Sequence, residues 1–345
     1  MNAEYEKYML DQLKTLLKID STTGDYRQIQ EYVGSVLKDF GYKPEFFNKG
    51  GLAAAIGGEG SPVCVSAHMD DIGLMVHRIL DNGLLQVCPV GGLKAPGCEH
   101  SNVRVKTRDG RIYTGTLRRK YASLHTKPDE EYNDSSVSYE KLFIYLDEDV
   151  KTRDDVEKLG IRRGDIIALD PATVFTDSGY IKSRFLDDKA CVALLLAYLY
   201  RLKKEGITPS RKVTAHFAAY EEIGHGGCCG IPEDTEEFLA LDVGVVGPGQ
   251  ESDEHKVTVI AKDSRFPYHY ETCTNIVNTA EDAGVAYALD VHLPHYGSDG
   301  DCALTAGYDV RHSAFGPGVL ETHGYERTHV DSLRATFDLL TAYLG

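Results

Sequence analysis

The chain has 345 residues, of which 42% are hydrophobic and 26% are charged, as in a globular protein of two domains rather than a disordered or fibrous one. Its formal net charge of -16 argues against a nucleic-acid partner, because phosphate binding needs basic stripes. The apolar runs are too short for a membrane span, and residues 1–7 lack a signal-peptide pattern. We therefore expect a cytoplasmic protein with eight reduced cysteines and no membrane partner.

The first quarter of the chain predicts two helices and two strands. Residues 4–18 and 26–40 carry apolar side chains at helical spacing. The short apolar run 52–56 indicates a strand, and the β-rich segment 62–67 indicates another that ends at His68.

Residues 74–177 change to short β-type segments with frequent glycine. The predicted strands are 84–90, 103–107, 112–117, 142–146 and 165–169. The turn at 108–111 lies between two alternating runs, as in a hairpin. This pattern predicts a small β-barrel inserted at 74–177, in which the polar and acidic segment 125–139 forms a mobile loop.

Helices and buried strands alternate again after residue 185. The predicted elements are a helix at 190–202 capped by Asp188, strands at 212–220 and 238–246, a helix at 272–283, a strand at 286–289 and a helix at 332–344. The alternation predicts an α/β domain, formed by residues 1–73 and 178–345, whose mostly parallel mixed sheet has helices on both faces.

Acids and histidines follow several of the predicted strands. The carboxyl edge of an open α/β sheet is where such folds bind ligands, so these residues predict one shared site. His68 and Asp70 are two residues apart, and their side chains should lie on the same side of the strand end. His68 would bind a metal and give its second ring N–H to the Asp70 carboxylate. A surface His-Asp pair explains this motif alone equally well.

Two pairs of acids extend the predicted site. A helix N-cap needs one aspartate, so Asp187 is free to offer its two oxygens to two metals, although simple capping remains the alternative. Glu221 and Glu222 follow the predicted strand 212–220, where adjacent side chains face opposite ways. One of them can bind metal while the other acts as a general base, and an exposed acidic turn is the alternative.

Asp242 ends a further apolar run, and His323 and His329 are equally plausible as a late histidine ligand. These residues supply nitrogen and carboxylate ligands of the kind that Zn²⁺, Co²⁺ or Mn²⁺ accepts, with Asp187 bridging. The predicted set is His68, Asp187, Glu222, Asp242 and one of the two late histidines. Two divalent ions, three carboxylates and a bridging hydroxide sum to zero charge, which predicts a two-metal hydrolase with an acidified water.

Four motifs carry a family resemblance that runs nearly end to end. They are Ala67-His68-Met69-Asp70-Asp71-Ile72-Gly73, Leu186-Asp187-Asp188-Lys189, Tyr220-Glu221-Glu222-Ile223-Gly224 and Gly297-Ser298-Asp299-Gly300. With these motifs the chain resembles the M42 family of metallo-aminopeptidases, which includes glutamyl and tetrahedral aminopeptidases. The chain departs from that family at Leu320-Glu321-Thr322-His323, where members commonly carry Arg-Tyr-x-His.

The resemblance implies a ligand set, a base and an assembly. His68, Asp187 and Asp242 would hold one metal, and Asp187, Glu222 and His323 the other. Glu221 would be the general base, and a PDZ-like insert would serve assembly, often into a tetrahedral dodecamer.

We therefore expect a homo-oligomeric aminopeptidase that removes the N-terminal residue of short peptides. A metal-bridging hydroxide would attack the scissile carbonyl. Glu221 would take the proton of the water that forms this hydroxide and pass it to the leaving amine. The alternative within the enzymes is an amidohydrolase or deacylase of a small amide metabolite. The alternative of another class is a noncatalytic, metal-stabilised assembly or peptide-binding protein. The sequence motifs are compatible with several N-terminal residues in the substrate and with Zn²⁺, Co²⁺ or Mn²⁺ as the metal.

Overall fold

A computed structural model describes residues 1–128 and 135–345, which form two compact units. One unit comprises Met1–Asp71 and Ala172–Gly345, and the other comprises Ile72–Pro171. The segment predicted as a mobile loop, 125–139, lies partly outside the described residues. Over the described ranges, no helix combines the length and the apolar character needed to cross a membrane.

The α-helices of the described residues are, in chain order, α1 (Ala3–Leu16), α2 (Arg27–Asp39), α3 (Ala95–Cys98), α4 (Arg153–Lys158), α5 (Leu186–Glu205), α6 (Tyr270–Asp282), α7 (Asp299–Thr305) and α8 (Val330–Leu344). The strands are β1 (Glu45–Phe46), β2 (Leu52–Gly57), β3 (Pro62–His68), β4 (Gly73–Ile79), β5 (Leu85–Val90), β6 (Asn102–Lys106), β7 (Ile112–Arg119), β8 (Leu142–Leu146), β9 (Ile166–Leu169), β10 (Val174–Phe175), β11 (Tyr180–Ser183), β12 (Lys212–Ala218), β13 (Glu237–Leu241), β14 (Gly244–Val246), β15 (Val257–Lys262), β16 (Tyr287–Val291), β17 (Arg311–Leu320) and β18 (Glu326–His329).

The larger unit is built on a mixed sheet in the order β1-β2-β12-β3-β13-β17-β18-β11-β10. The central strands β12, β3, β13 and β17 are parallel, and the strands beyond them on this path are antiparallel. Strand β14 pairs with β17, and β15 pairs with both β16 and β17. The predicted mixed, mostly parallel sheet is confirmed, and its parallel pairs lie at the centre.

Helix α5 is a central part of the core that packs against this sheet. Every residue from Ala190 to Leu199 is buried, so the helix is apolar on all sides and packs in the interior. It contacts α1, α8 and the central strand β3. The helix ends at Gly206, whose φ of 65° is left-handed and is readily adopted by glycine.

The smaller unit is a closed barrel with strand order β4-β5-β8-β7-β6-β9. Strands β6 and β7 form the predicted hairpin, in which Lys106 is paired with Ile112. Buried Val103, Val105 and Leu117 fill the interior of this unit. The predicted inserted barrel is confirmed as a six-stranded antiparallel barrel, whereas its likeness to a PDZ domain is not confirmed.

One sequence-based strand was wrong. The predicted strand 238–246 is two strands, β13 and β14, both parallel to β17. The ladder is interrupted because the backbone N–H of Val243 donates to the Asp242 carboxylate, with 2.7 Å between nitrogen and oxygen. This break places the Asp242 side chain at the end of β13.

Candidate functional site

Three neighbouring strands of the larger unit end at the same edge of the sheet. His68 is the last residue of β3 and is paired with Ala218, the last residue of β12. Ala240, near the end of β13, is paired with Ser66 of β3, and Asp242 follows two residues later. Parallel pairing therefore brings His68, the residues after β12 and Asp242 to one edge, where open α/β folds bind their ligands.

The imidazole of His68 is buried and held at both ring nitrogens. Its Nδ1 lies 3.0 Å from the backbone oxygen of Asp70, and its Nε2 lies 3.1 Å from Oδ1 of Asp187. The predicted support from the Asp70 carboxylate is therefore wrong in detail, because its Oδ1 is 3.7 Å from Nδ1 and the backbone carbonyl makes the closer contact. The Asp70 carboxylate instead accepts hydrogen bonds from the Thr23 hydroxyl and from the backbone N–H of Glu221.

Asp187 lies between two histidines at the start of α5. Its Oδ2 is 3.6 Å from Nε2 of His323, while its Oδ1 faces His68. The predicted cap by Asp188 is wrong. Its Oδ2 accepts from the backbone N–H of His68, at 3.0 Å, and its Oδ1 has no hydrogen-bond partner among the described residues.

Glu221 and Glu222 do not continue strand β12, as the sequence predicted. They lie in a short 3-10 turn after Tyr220, whose φ of 70° ends the extended backbone. Their carboxylates nevertheless face different partners. Oε2 of Glu221 is 3.7 Å from Nε2 of His68, and Oε2 of Glu222 is 3.2 Å from Nε2 of His323.

The predicted ligands form two groups that share one residue. The first group is His68, Asp187 and Asp242, and the second is Asp187, Glu222 and His323. In each group the candidate ligand atoms lie within 4.8 Å of one another. His329, the alternative late histidine, lies in neither group and is placed beside His255 and Asp331.

Burial and charge shift the pKa values of these groups. Burial raises the pKa of Glu221 and of Asp242 well above the carboxyl range, and nearby carboxylates raise both further. Burial opposes the charged form of His323, but Glu222 outweighs it and the pKa rises to about 10. The pKa of His68 is likewise well above its usual value, because the Asp187 and Glu221 carboxylates outweigh burial. The cluster is thus short of positive charge and favours cations.

Sequence reasoning missed Glu326, which is 2% exposed. Its two oxygens accept hydrogen bonds from the backbone N–H groups of Asp187 and His323, at 3.1 and 3.2 Å. It thereby fixes the backbone of two candidate ligands. The only signal for Glu326 in the sequence was its position three residues after the candidate ligand His323. The pairing of β11 with β18 brings Glu326 to Asp187.

The fold occurs in aminopeptidases of known structure. An aminopeptidase from the archaeon Desulfurococcus kamchatkensis superposes with a TM-score of 0.87 at 24% identity, covering 99% of this chain and 95% of that one. The TET1 peptidase of Pyrococcus horikoshii, described as able to assemble into a tetrahedron or a large octahedral shell, has a TM-score of 0.84 at 21% identity. That match covers 97% of this chain and 99% of the other.

Sequence comparison defines the family. The family model described as M42 glutamyl aminopeptidase matches residues 50–339. A relative from Bacillus subtilis (strain 168), named "Putative aminopeptidase YhfE", is 39% identical over 339 residues, covering 97% of this chain and 96% of the relative. The chain belongs to the M42 family and is an aminopeptidase.

Proposed function

We propose that this aminopeptidase uses two divalent metal ions to hydrolyse the N-terminal peptide bond of short peptides, with Glu221 as general base. The observation that carries the proposal is the shared position of Asp187. Its two oxygens face His68 on one side and His323 on the other, and it belongs to both candidate ligand groups. A carboxylate with two oxygens turned to two groups is suited to bridge two ions.

The donor set fits such ions. His68 can give its Nδ1–H to the backbone oxygen of Asp70, which leaves Nε2 directed at Asp187. A metal-binding histidine commonly has this second contact, because it fixes the ring and its tautomer. Three ligand carboxylates and Glu221 carry four negative charges, which two divalent ions neutralise. Imidazole and carboxylate ligands suit Zn²⁺, Co²⁺ or Mn²⁺.

When bound, the ions would supply Lewis-acid polarisation of the scissile carbonyl and would acidify the attacking water. Glu221 belongs to neither ligand group among the described residues, so its carboxylate stays free to accept a proton. Its Oε2 lies 3.7 Å from Nε2 of His68, at the edge of the first ligand group. Glu221 takes the proton of the water and passes it to the leaving amine.

The proposed reaction is tested with purified protein, metal analysis and aminoacyl reporter substrates. Glu221→Gln should retain both metals and lose about 10²–10⁴-fold in kcat, because proton transfer is removed. Glu222→Gln should lose metal as well as activity, and Glu233→Gln, an exposed glutamate, should change neither. Near-normal hydrolysis by Glu221→Gln would refute the role of this residue. Hydrolysis of N-acylated substrates in preference to free-amine peptides would overturn the proposed substrate class.

The proposal extends to a homo-oligomer, since the fold is that of a peptidase described as forming a tetrahedron or an octahedral shell. Light scattering of the purified chain tests this directly. A mass of several chains is expected, and a monomer at micromolar concentration would contradict it.

A further inference from the structure

We propose that His255, Asp331 and His329 form a third divalent-metal site, suited to Zn²⁺ and separate from the cluster at Asp187. His255 lies between β14 and β15, His329 ends β18, and Asp331 is in the first turn of α8. Their candidate ligand atoms lie within 4.8 Å of one another. The proposal does not depend on the proposed function.

The Asp331 oxygen lies from each histidine nitrogen at nearly the spacing that zinc requires. Oδ2 of Asp331 is 3.1 Å from Nδ1 of His255 and 3.1 Å from Nδ1 of His329. In a tetrahedral zinc site with bonds of about 2.0 Å, neighbouring ligand atoms are about 3.3 Å apart. The two imidazole rings lie side by side with 4.2 Å between their centroids, so both present Nδ1 to the same carboxylate oxygen.

Each proposed ligand is also held through its other polar atom. Nε2 of His329 lies 2.9 Å from the backbone oxygen of Ser178, and Nε2 of His255 lies 3.4 Å from the hydroxyl of Tyr180. Oδ1 of Asp331 accepts a hydrogen bond from Arg334 at 2.7 Å. Metal-binding residues are typically oriented by such outer contacts, which leave one lone pair directed at the ion.

The packing around His329 restricts its ring further. The ring of Tyr180 stands edge-on to that of His329, with 4.9 Å between centroids. A Cβ atom at Gly179 would lie 2.5 Å from Nε2 of His329, so glycine is needed for this close approach. His329 is therefore fixed in place before any ion binds, which lowers the entropy lost on binding.

Two features of the site oppose cation binding, the hydrogen bond at Nδ1 of His329 and the N-terminus of α8, and the nearby carboxylates counteract them. Without an ion, Nδ1 of His329 accepts from the backbone N–H of Asp331, and an ion would replace this contact at the positive end of α8. Besides Asp331, the carboxylates beside the site are Asp253, which accepts from the backbone N–H of His255, and Glu254 and Glu6, which are paired with Arg327 and Arg334.

Zinc stoichiometry tests the site. Purified protein is dialysed against Zn²⁺ alone, and bound zinc per chain is measured for the wild type, His255→Gln, Asp331→Asn and the exposed-surface control His77→Gln. The first two variants should bind one ion fewer per chain than the wild type and should retain peptide hydrolysis. His77→Gln should match the wild type. His255→Gln and Asp331→Asn remove different ligands. If circular dichroism shows that one of them folds poorly, the other still tests the site.

The same comparison in a Glu222→Gln background separates this site from the proposed active site. There too, His255→Gln should lower the stoichiometry by one ion, whatever the occupancy at Asp187. Equal zinc in the wild type and both site variants would overturn the proposal. Loss of an ion from His77→Gln as well would do the same, because it would indicate nonspecific binding to surface histidines.

Discussion

The Oδ1 atom of Asp70 accepts a hydrogen bond from the backbone N–H of Glu221, with 3.1 Å between the two atoms. Its other carboxylate oxygen accepts from the Thr23 hydroxyl at 2.7 Å. Asp70 thus connects the end of β3 to the turn that carries the proposed base. This contact makes Asp70 a positioning residue, which acts through Glu221.

We expect Asp70→Ala to lower kcat by about 10–100-fold with a smaller change in KM, because Glu221 loses the acceptor that orients its backbone. Asp70→Asn keeps one carbonyl oxygen and should retain more activity. Thr23→Val, which removes the contact with the other Asp70 oxygen and a longer contact with the backbone oxygen of Asp71, is the matched control. Steady-state kinetics on an aminoacyl reporter measures the effect. An unchanged kcat in Asp70→Ala, with the protein folded, would show that Glu221 is held by other contacts.

The strand ends were predictable from sequence, whereas the contacts between them were not. His68 and Asp242 follow apolar runs whose length marks a buried strand, so their placement at one edge follows from parallel pairing. The turn at Glu221 was not predictable, because the left-handed Tyr220 that begins it carries no glycine signal. Glu326 was missed because its contact with Asp187 depends on antiparallel pairing of segments that are distant in the sequence.

Glu326 should control metal affinity. Both its oxygens accept backbone N–H groups, so Glu326→Gln turns an amide N–H₂ toward one of these donors and leaves that donor unpaired. We expect the apparent affinity for Zn²⁺ to fall by about 10–100-fold, as measured by competition with a chelator. Glu236→Gln, which alters an exposed pair with Arg311, is the control and should bind zinc as the wild type does. Equal affinities in the two variants would contradict the role of Glu326.

A buried ion pair next to the site should make the protein sensitive to substitution of either partner, because each substitution leaves the other partner without its contact. Nζ of Lys189 lies 2.6 Å from Oδ2 of Asp71, and both side chains are almost fully buried. Lys189→Met leaves the carboxylate unpaired, and we expect a loss of about 3–5 kcal/mol in the free energy of unfolding. Adding Asp71→Asn should restore most of that loss, because no buried charge then remains.

Denaturant unfolding of the two single variants and the double variant measures this coupling. Burial raises the pKa of Asp71 to about 6 despite the opposing charge of Lys189. Lys204→Met, in an exposed pair with Glu4, should leave stability nearly unchanged. Additive losses from Lys189→Met and Asp71→Asn would show that the pair does not act as a unit.

His216 should make stability fall on acidification. Its side chain is buried in β12, with Nε2 3.0 Å from the backbone oxygen of Cys229, and burial lowers its pKa to about 4. In the unfolded chain a histidine has a pKa of about 6.5, so the unfolded state binds more protons between these values. The contribution of His216 is therefore complete above pH 6.5 and decreases as the pH falls, by roughly 3 kcal/mol at pH 4. His216→Gln should flatten the dependence of unfolding free energy on pH across this window, while the exposed His77→Gln should leave the slope unchanged. Identical slopes in the wild type and His216→Gln would mean that His216 is protonated in the folded state as readily as in the unfolded one.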